Sequence, residues 1–369
     1  EKRAQARISQ YAGAKAAARQ PQTLWVIGCM AERLGNSLKE MIPGVDRVIG
    51  ATKLEYIAHD IDGYLTDCDP EGHAPPRSEN VTAFLPIMRG CNNYCTYCIV
   101  PYVRGDEHSM PLYSLEERVK RMVENGVREV TLLGQNVNSY RDGRTDFSDL
   151  LHQLHRVEGL RRLRFTTSHP KDCGEKLIRT IAELPKVCTH IHLPVQSGST
   201  TVLRRMNRVY TRDEYLRLTD MVRTHIPAVD LTSDIMVGFP GESEKEYHDT
   251  LSLVERVRFT TAFMFAYSER EGTKAASMDG NLSPQVRKER LERLIELQTQ
   301  ITKEQYSSMV GRTVNVLLSQ RQRRRDKAWM GQDYGCKRVL LACREELAGT
   351  ILDLKVVRST GMTLVCERI

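Results

Sequence analysis

No stretch of this chain approaches the ~20 consecutive apolar residues that span a bilayer. The opening residues, Glu-Lys-Arg-Ala-Gln-Ala-Arg, have neither an apolar signal core nor the bias of a transit peptide. Both absences argue against a membrane or exported protein and make the cytoplasm the expected compartment. An initiator Met is also lacking, and no cap marks the start of the helical stretch ahead of the first strand-like run at 23–28. The chain is therefore expected to lack the front of its first domain. Paired cysteines are missing too. Of ten cysteines, seven stand singly, which excludes the evenly spaced framework of a small disulfide scaffold.

What is present suits a globular protein. With 369 residues, 40% hydrophobic and 27% charged, the chain can bury sizeable cores, and two or three domains are expected. The net charge of +7 is concentrated at one end. Residues 311–369 carry twelve Lys and Arg against six Asp and Glu, which leaves +1 for the other 310. That asymmetry favours a polyanion, most simply nucleic acid, bound by a C-terminal module.

The punctuation predicts four segments: a partial open α/β domain at 1–66, a Pro- and Gly-containing linker at 67–80, a core at 81–309 and a small all-β barrel at 310–369. In the first, a strand at 23–28 precedes a helix at 31–41 and a short apolar run at 45–49. In the core, strand-like runs recur at 82–88, 129–133, 163–167, 190–193, 230–237 and 261–266. Helical periodicity fills 115–124, 147–157, 175–184, 213–224 and 244–257 between them. Such alternation argues a parallel sheet curled into a six-fold β/α partial or full barrel, whose chemistry sits at the C-terminal ends of the strands. A long amphipathic helix at 283–309 leads to short strands at 313–318, 339–341, 350–357 and 363–366.

The loop after the first core strand reads Cys91-Asn92-Asn93-Tyr94-Cys95-Thr96-Tyr97-Cys98. Three thiolates in this C-x3-C-x2-C spacing can hold three irons of a four-iron, four-sulfur cluster and leave the fourth iron open. Structural zinc is the competing reading, but it wants four ligands and no fourth cysteine lies nearby.

These residues, and the words around them, resemble the radical S-adenosylmethionine superfamily and, within it, the methylthiotransferases. The words are 88–105 around the cysteines, Leu132-Leu133-Gly134-Gln135-Asn136-Val137-Asn138-Ser139-Tyr140, Thr167-Ser168-His169-Pro170-Lys171-Asp172, His192-Leu193-Pro194-Val195-Gln196-Ser197-Gly198 and 234–242. The Gln-Asn-Val-Asn-Ser-Tyr word is similar to the branch that makes 2-methylthio-isopentenyladenosine in tRNA. The resemblance covers essentially the whole chain, the C-terminal barrel being TRAM-like. It implies that Cys91, Cys95 and Cys98 hold a cluster that binds S-adenosylmethionine, whose reductive cleavage gives a 5′-deoxyadenosyl radical able to take hydrogen from carbon two of the adenine. It also implies a second, auxiliary 4Fe-4S cluster as sulfur donor. Of its three family cysteines only Cys29 is present, and by its own context, without the resemblance, Cys29 reads first as a small buried residue after a strand. Two departures from the family's words are Met110, where an Arg is usual, and Val209, where a Gly is usual.

Gln135, Asn136, Ser168, Gln196, Ser197 and Asp234 fall at or near strand ends and are candidates to bind the cofactor. Arg208 offers a planar fork for its carboxylate, with a surface Arg as the alternative. Cys68, beside the linker, is the remaining thiol worth considering as a ligand. In the barrel, Arg321, Arg323, Arg324, Arg325 and Lys327 form a basic hairpin suited to phosphate, with Trp329 and Tyr334 as stacking partners. The implied partners are a tRNA anticodon stem-loop and an electron donor such as a flavodoxin, with no membrane and a monomeric chain. The alternatives are methylthiolation of a ribosomal protein and a noncatalytic zinc-containing RNA-binding protein.

Overall fold

The computed structural model describes residues 2–17, 23–56, 81–322 and 328–369, the side chains of 2 and 54–56 excepted. The expected linker, Cys68, Arg323, Arg324, Arg325 and Lys327 lie outside the described residues. The described chain forms two units, one of residues up to 56 with 89–94 and 98–107, the other of 81–88, 95–97 and everything from 108 onward.

The first unit holds α1 (Lys2–Ala16), β1 (Trp25–Gly28), α2 (Cys29–Leu34), α3 (Ser37–Met41), β2 (Arg47–Gly50) and the short α4 (Val100–Arg104). β1 and β2 pair in parallel, with Val26 opposite Val48. Ala12, Val26, Ala31, Leu38, Ile42 and Val45 make its core. Asp46 ties α1 to the sheet by accepting from the Leu24 N–H and pairing with Lys15. The single helix predicted at 31–41 is two, because Gly35 takes φ +51° and closes α2 with its N–H on the Ala31 carbonyl.

In the second unit the six core strands appear close to where alternation places them. They are β3 (Thr82–Pro86), β4 (Glu129–Leu133), β5 (Arg162–Phe165), β6 (His190–His192), β7 (Asp230–Val237) and β8 (Thr261–Ala266). The helices are α5 (Leu112–Glu124), α6 (Phe147–His155), α7 (Glu175–Glu183), α8 (Thr200–Arg205), α9 (Arg212–His225), α10 (Glu244–Val257) and α11 (Pro284–Ser307). All the strands pair in parallel, β3-β4-β5 and β6-β7-β8, and a bridge from Leu163 to Val187 links the two sheets into one arc. Side chains that need each other start the helices: Asp146 with Asp149, Thr211 with Glu214 and Ser243 with Glu246 form reciprocal caps for α6, α9 and α10.

The strands alternate instead of reading as unbroken apolar runs, and this defines the two faces of the arc. Leu85, Val130, Leu132, Leu163, Phe165, Ile191, Leu231 and Ile235 are buried in the large core under the helices. Thr131 pairs in register with Arg164, and Thr232 with His192, so the opposite, inner face is largely polar, with exposed Phe84 opposite Thr131 as an exception. An arc with a polar lumen is what a site for a charged cofactor requires.

The C-terminal module is a closed barrel of β9 (Thr313–Arg321), β10 (Ala328–Asp333), β11 (Arg338–Ala342), β12 (Ile351–Ser359) and β13 (Thr363–Arg368), in the order β9-β10-β11-β13-β12. It docks on the N-terminal ends of the core strands. Arg162, fully buried, donates to the Gln332 and Asn315 carbonyls at 2.8 and 2.9 Å. Arg164 donates to the Asp333 carbonyl at 2.6 Å, and Lys337 pairs with Asp230. The opposite, C-terminal rim is left to the loops.

Candidate functional site

The cysteine loop is shaped by its backbone. Gly90 takes φ +76°, and a Cβ there would lie 1.8 Å from the Asp106 carbonyl oxygen, so only glycine fits. The Cys91 N–H then reaches the Gly105 carbonyl at 3.2 Å. Asn93 Nδ2 lies 3.4 Å from Cys91 Sγ, and the Val100 N–H points at Cys98 Sγ from 3.5 Å. N–H groups aimed at sulfur are the environment that stabilises thiolates and tunes iron–sulfur clusters. Cys91, Cys95 and Cys98 are all half-buried. Among the described residues, no three His, Cys, Asp or Glu side chains are gathered in a metal-binding arrangement. The fit to a cluster therefore rests on the donor chemistry, on the C-x3-C-x2-C spacing and on the N–H groups at Cys91 and Cys98, not on thiols already gathered around a centre. Cys29 opens α2 directly after β1, and its Sγ accepts from Arg104 Nε at 3.1 Å.

Tyr97, the aromatic before the third cysteine, accepts from Arg208 Nη2 at 2.9 Å. Arg208 is buried rather than on the surface, one of the two alternatives its sequence left open. Burial lowers its pKa, but Tyr210, Tyr97 and Cys95 together raise it above the ordinary guanidinium value, so it stays charged. Its Nε has no partner.

Four of the seven residues named from sequence as cofactor ligands carry a buried polar atom without a partner: Gln135 Oε1, Asn136 Oδ1, Ser168 Oγ and Arg208 Nε. Buried polar atoms are nearly always satisfied; nine others among the described residues also lack a hydrogen-bond partner, so it is the place of these four, at the strand ends and beside the cysteine loop, that suits them to another group. Asn136 is held by its amide, which donates to Asp172 Oδ2 at 2.7 Å. Asn138 braces the next loop by hydrogen-bonding both the N–H and the carbonyl of His169, at 2.8 and 2.9 Å. Gln196 bridges β7 through its backbone, with φ +67°, and Thr167 takes φ +66°, a strained value for a β-branched residue. Asp234 lies 3.4 Å from His192 Nε2. Ser197 is placed differently: its hydroxyl is 3.3 Å from Thr250 on α10 and accepts the Ser199 N–H, so it braces the loop.

Tyr97, Asp172 and His192 were not among the residues picked from sequence. His192 was detectable as the polar position of an alternating strand. One of the two suggested stacking aromatics needs correction. Trp329 is 2% exposed, with its Nε1 donating to the Glu345 carbonyl at 2.9 Å, because β10 turns it into the barrel core. Tyr334 is half-buried, with the Arg162 guanidinium 5.1 Å from its ring centroid. Of the basic hairpin, Arg321 is described and exposed at the end of β9. Of the departures, Val209 is exposed, and Met110 packs against the large core with its carbonyl accepting the Tyr140 hydroxyl at 2.7 Å.

Residues 85–254 match the family described as the Radical SAM superfamily. A tRNA-2-methylthio-N(6)-dimethylallyladenosine synthase of Acetivibrio thermocellus is 41% identical over 349 residues, 90% of this chain and 72% of the relative. One from Moorella thermoacetica, under the same name, is 41% identical over 362 residues, 93% of this chain and 81% of the relative. Among solved structures, the cobalamin-dependent S-adenosylmethionine radical enzyme OxsB aligns with a TM-score of 0.50 at 12% identity, over 75% of this chain and 44% of that one, a likeness of fold alone. With the cysteine loop, the polar-lumened arc and these relatives in hand, the chain belongs to the tRNA-2-methylthio-N(6)-dimethylallyladenosine synthase family of radical S-adenosylmethionine proteins.

Proposed function

We propose that this chain methylthiolates carbon two of N6-dimethylallyl (isopentenyl) adenosine in tRNA, using S-adenosylmethionine and 4Fe-4S clusters. The observation that supports this most is the set of unpartnered buried polar atoms on Gln135, Asn136, Ser168 and Arg208, on the loops at the rim of an arc whose relatives are named for this product. When bound, the cluster and S-adenosylmethionine supply the radical that acts on a C–H bond beyond the reach of acid–base chemistry.

The chain's own residues bind and orient. Cys91, Cys95 and Cys98 are the cluster ligands, with Asn93 and the Val100 N–H supporting two of the sulfurs. Arg208, kept cationic and steadied by Tyr97, is the partner for the methionine carboxylate. Asn136 and Ser168 present acceptors and a hydroxyl to the cofactor's polar groups. Cys29, with Arg104 Nε on its sulfur, is the one auxiliary-cluster thiol this sequence carries, and one thiol of three does not by itself hold that cluster. A polyanionic partner suits the basic C-terminal barrel, and a small reductant such as a flavodoxin supplies electrons in the cytoplasm.

The test is direct. The chain is purified without oxygen and reconstituted, iron and acid-labile sulfide are counted, and dimethylallyl-containing tRNA is digested to nucleosides after incubation with S-adenosylmethionine and reductant. About four irons and four sulfides per chain, lost when Cys91, Cys95 and Cys98 become Ala, is the expected result for the first cluster. Bound zinc without sulfide would leave the noncatalytic RNA-binding alternative in its place.

A further inference from the structure

The edge strand β8 carries two large aromatics that the site described above does not use. Phe263 is 62% exposed and Phe265 49% exposed, although each belongs to a strand paired along its whole length with β7. Their neighbours Ala262 and Met264 turn the other way and pack against the large core under the helices. The period of two then sends both phenylalanines to the inner face. Register agrees: Phe263 lies opposite Asp234, and Phe265 opposite Met236. The Phe263 ring meets the His192 ring edge-on at 6.1 Å, and Met236 and Tyr97 each pack against the small cluster around Phe239. The two rings thus stand in the lumen between a polar pair, His192 and Asp234, and the elements that carry the cofactor-binding residues. β8 is also the last strand of its sheet, so among the described residues no further strand of that sheet lies beyond the two rings.

Exposed phenylalanines on a largely polar face are costly unless something apolar covers them; Phe84 on β3 is a third, and Phe263 and Phe265 are the two that stand together on one strand, with Phe263 against His192. We propose that Phe263 and Phe265 form the seat for the dimethylallyl tail on N6 of the substrate adenosine, and so select the alkylated base over plain adenosine. This rests on the tRNA reading given above, and it adds the residues that set specificity. A branched five-carbon tail laid against two rings supplies enough apolar burial for a preference of about tenfold or more.

Two anticodon stem-loops, identical except for the dimethylallyl group on one adenosine, are titrated with the full chain and followed by fluorescence anisotropy. The wild-type chain should bind the alkylated one about tenfold or more tightly. In the F263A/F265A double variant the ratio should fall to within about twofold, through loss on the alkylated stem-loop, while F263L/F265L, which keeps apolar bulk, should retain most of it. Thermal melting verifies that both variants fold. A wild-type chain that binds both stem-loops equally, with normal salt sensitivity, would overturn the seat and leave the tRNA reading standing. So would a double Ala variant that keeps its preference. Failure to bind either stem-loop would bring down the tRNA reading, and the seat with it.

Discussion

His169 shows how much a single buried side chain can fix at the rim. Its ring is sealed from solvent, edge-on to Tyr210, and its Nδ1 accepts the Lys171 N–H at 3.2 Å. Neutral His169 therefore carries its proton on Nε2, and protonating Nδ1 would break that contact. Burial, reinforced by the nearby charges of Arg208 and Lys171, pushes its pKa down to about 2. Because the folded value lies below the unfolded value of about 6.5, the neutral ring's contribution is fully present above pH 6.5 and is lost as pH falls below it. The loss is about 1.4 kcal/mol per pH unit for this one group. Urea midpoints measured from pH 7.5 to 5 should fall for the wild-type chain and fall less steeply for His169→Gln. Equal slopes would show that His169 titrates normally.

At the scale of elements, α11 clamps the loop after β7. Arg290, 7% exposed, pairs at 2.8 Å with Glu242, whose carboxylate is fully buried and also accepts the Gly238 N–H at 2.7 Å. Burial raises the Glu242 pKa, while the Gly238 N–H and Arg290 hold it down. Removing the cation alone leaves a buried carboxylate without its partner, so Arg290→Met should cost about 3–5 kcal/mol, and adding Glu242→Gln should restore part of that. Melting of the two variants checks this, and no recovery in the double variant would count against the pair. The clamp also shows what the sequence could reveal. The strand order, α9 to α11 and the rim loops were legible because alternation, helical periodicity and Ser/Thr–Glu caps are local signals. Arg290 was not, since a long-range pair leaves no mark in a window of neighbours. β10 was missed for a related reason: its Gly331 and mixed polarity weaken the alternation, and it is held by pairing with β9 and β11 across the barrel. Trp329 was misread because a basic neighbourhood in sequence suggested a surface, while β10 places that ring in the barrel core.

At the scale of the whole molecule, the charge concentrated in residues 311–369 divides into two uses. Lys337 is consumed in docking, buried against Asp230 on the N-terminal rim of the core, and Arg368 is paired with Glu345 at 2.6 Å. The charge that can reach a phosphate backbone therefore lies elsewhere in the barrel, and the densest run follows β9, at Arg321, Arg323, Arg324, Arg325 and Lys327. β9 and β10 pair antiparallel up to Arg321 opposite Trp329. Changing Arg323, Arg324 and Arg325 to Gln touches no described contact of that barrel and should leave its melting unchanged. The same change should weaken stem-loop binding, and the slope of log affinity against log salt should become shallower by roughly 2 to 3, since each phosphate contact contributes about 0.7 on single strands and 0.9 on duplex. The slope separates the alternatives where the affinity alone does not. A variant that binds more weakly at every salt concentration with an unchanged slope has lost shape or packing, whereas a shallower slope reports phosphates no longer neutralised. If affinity and slope both stay as they were, the tRNA is held by another face, and the basic run serves only as solvated surface.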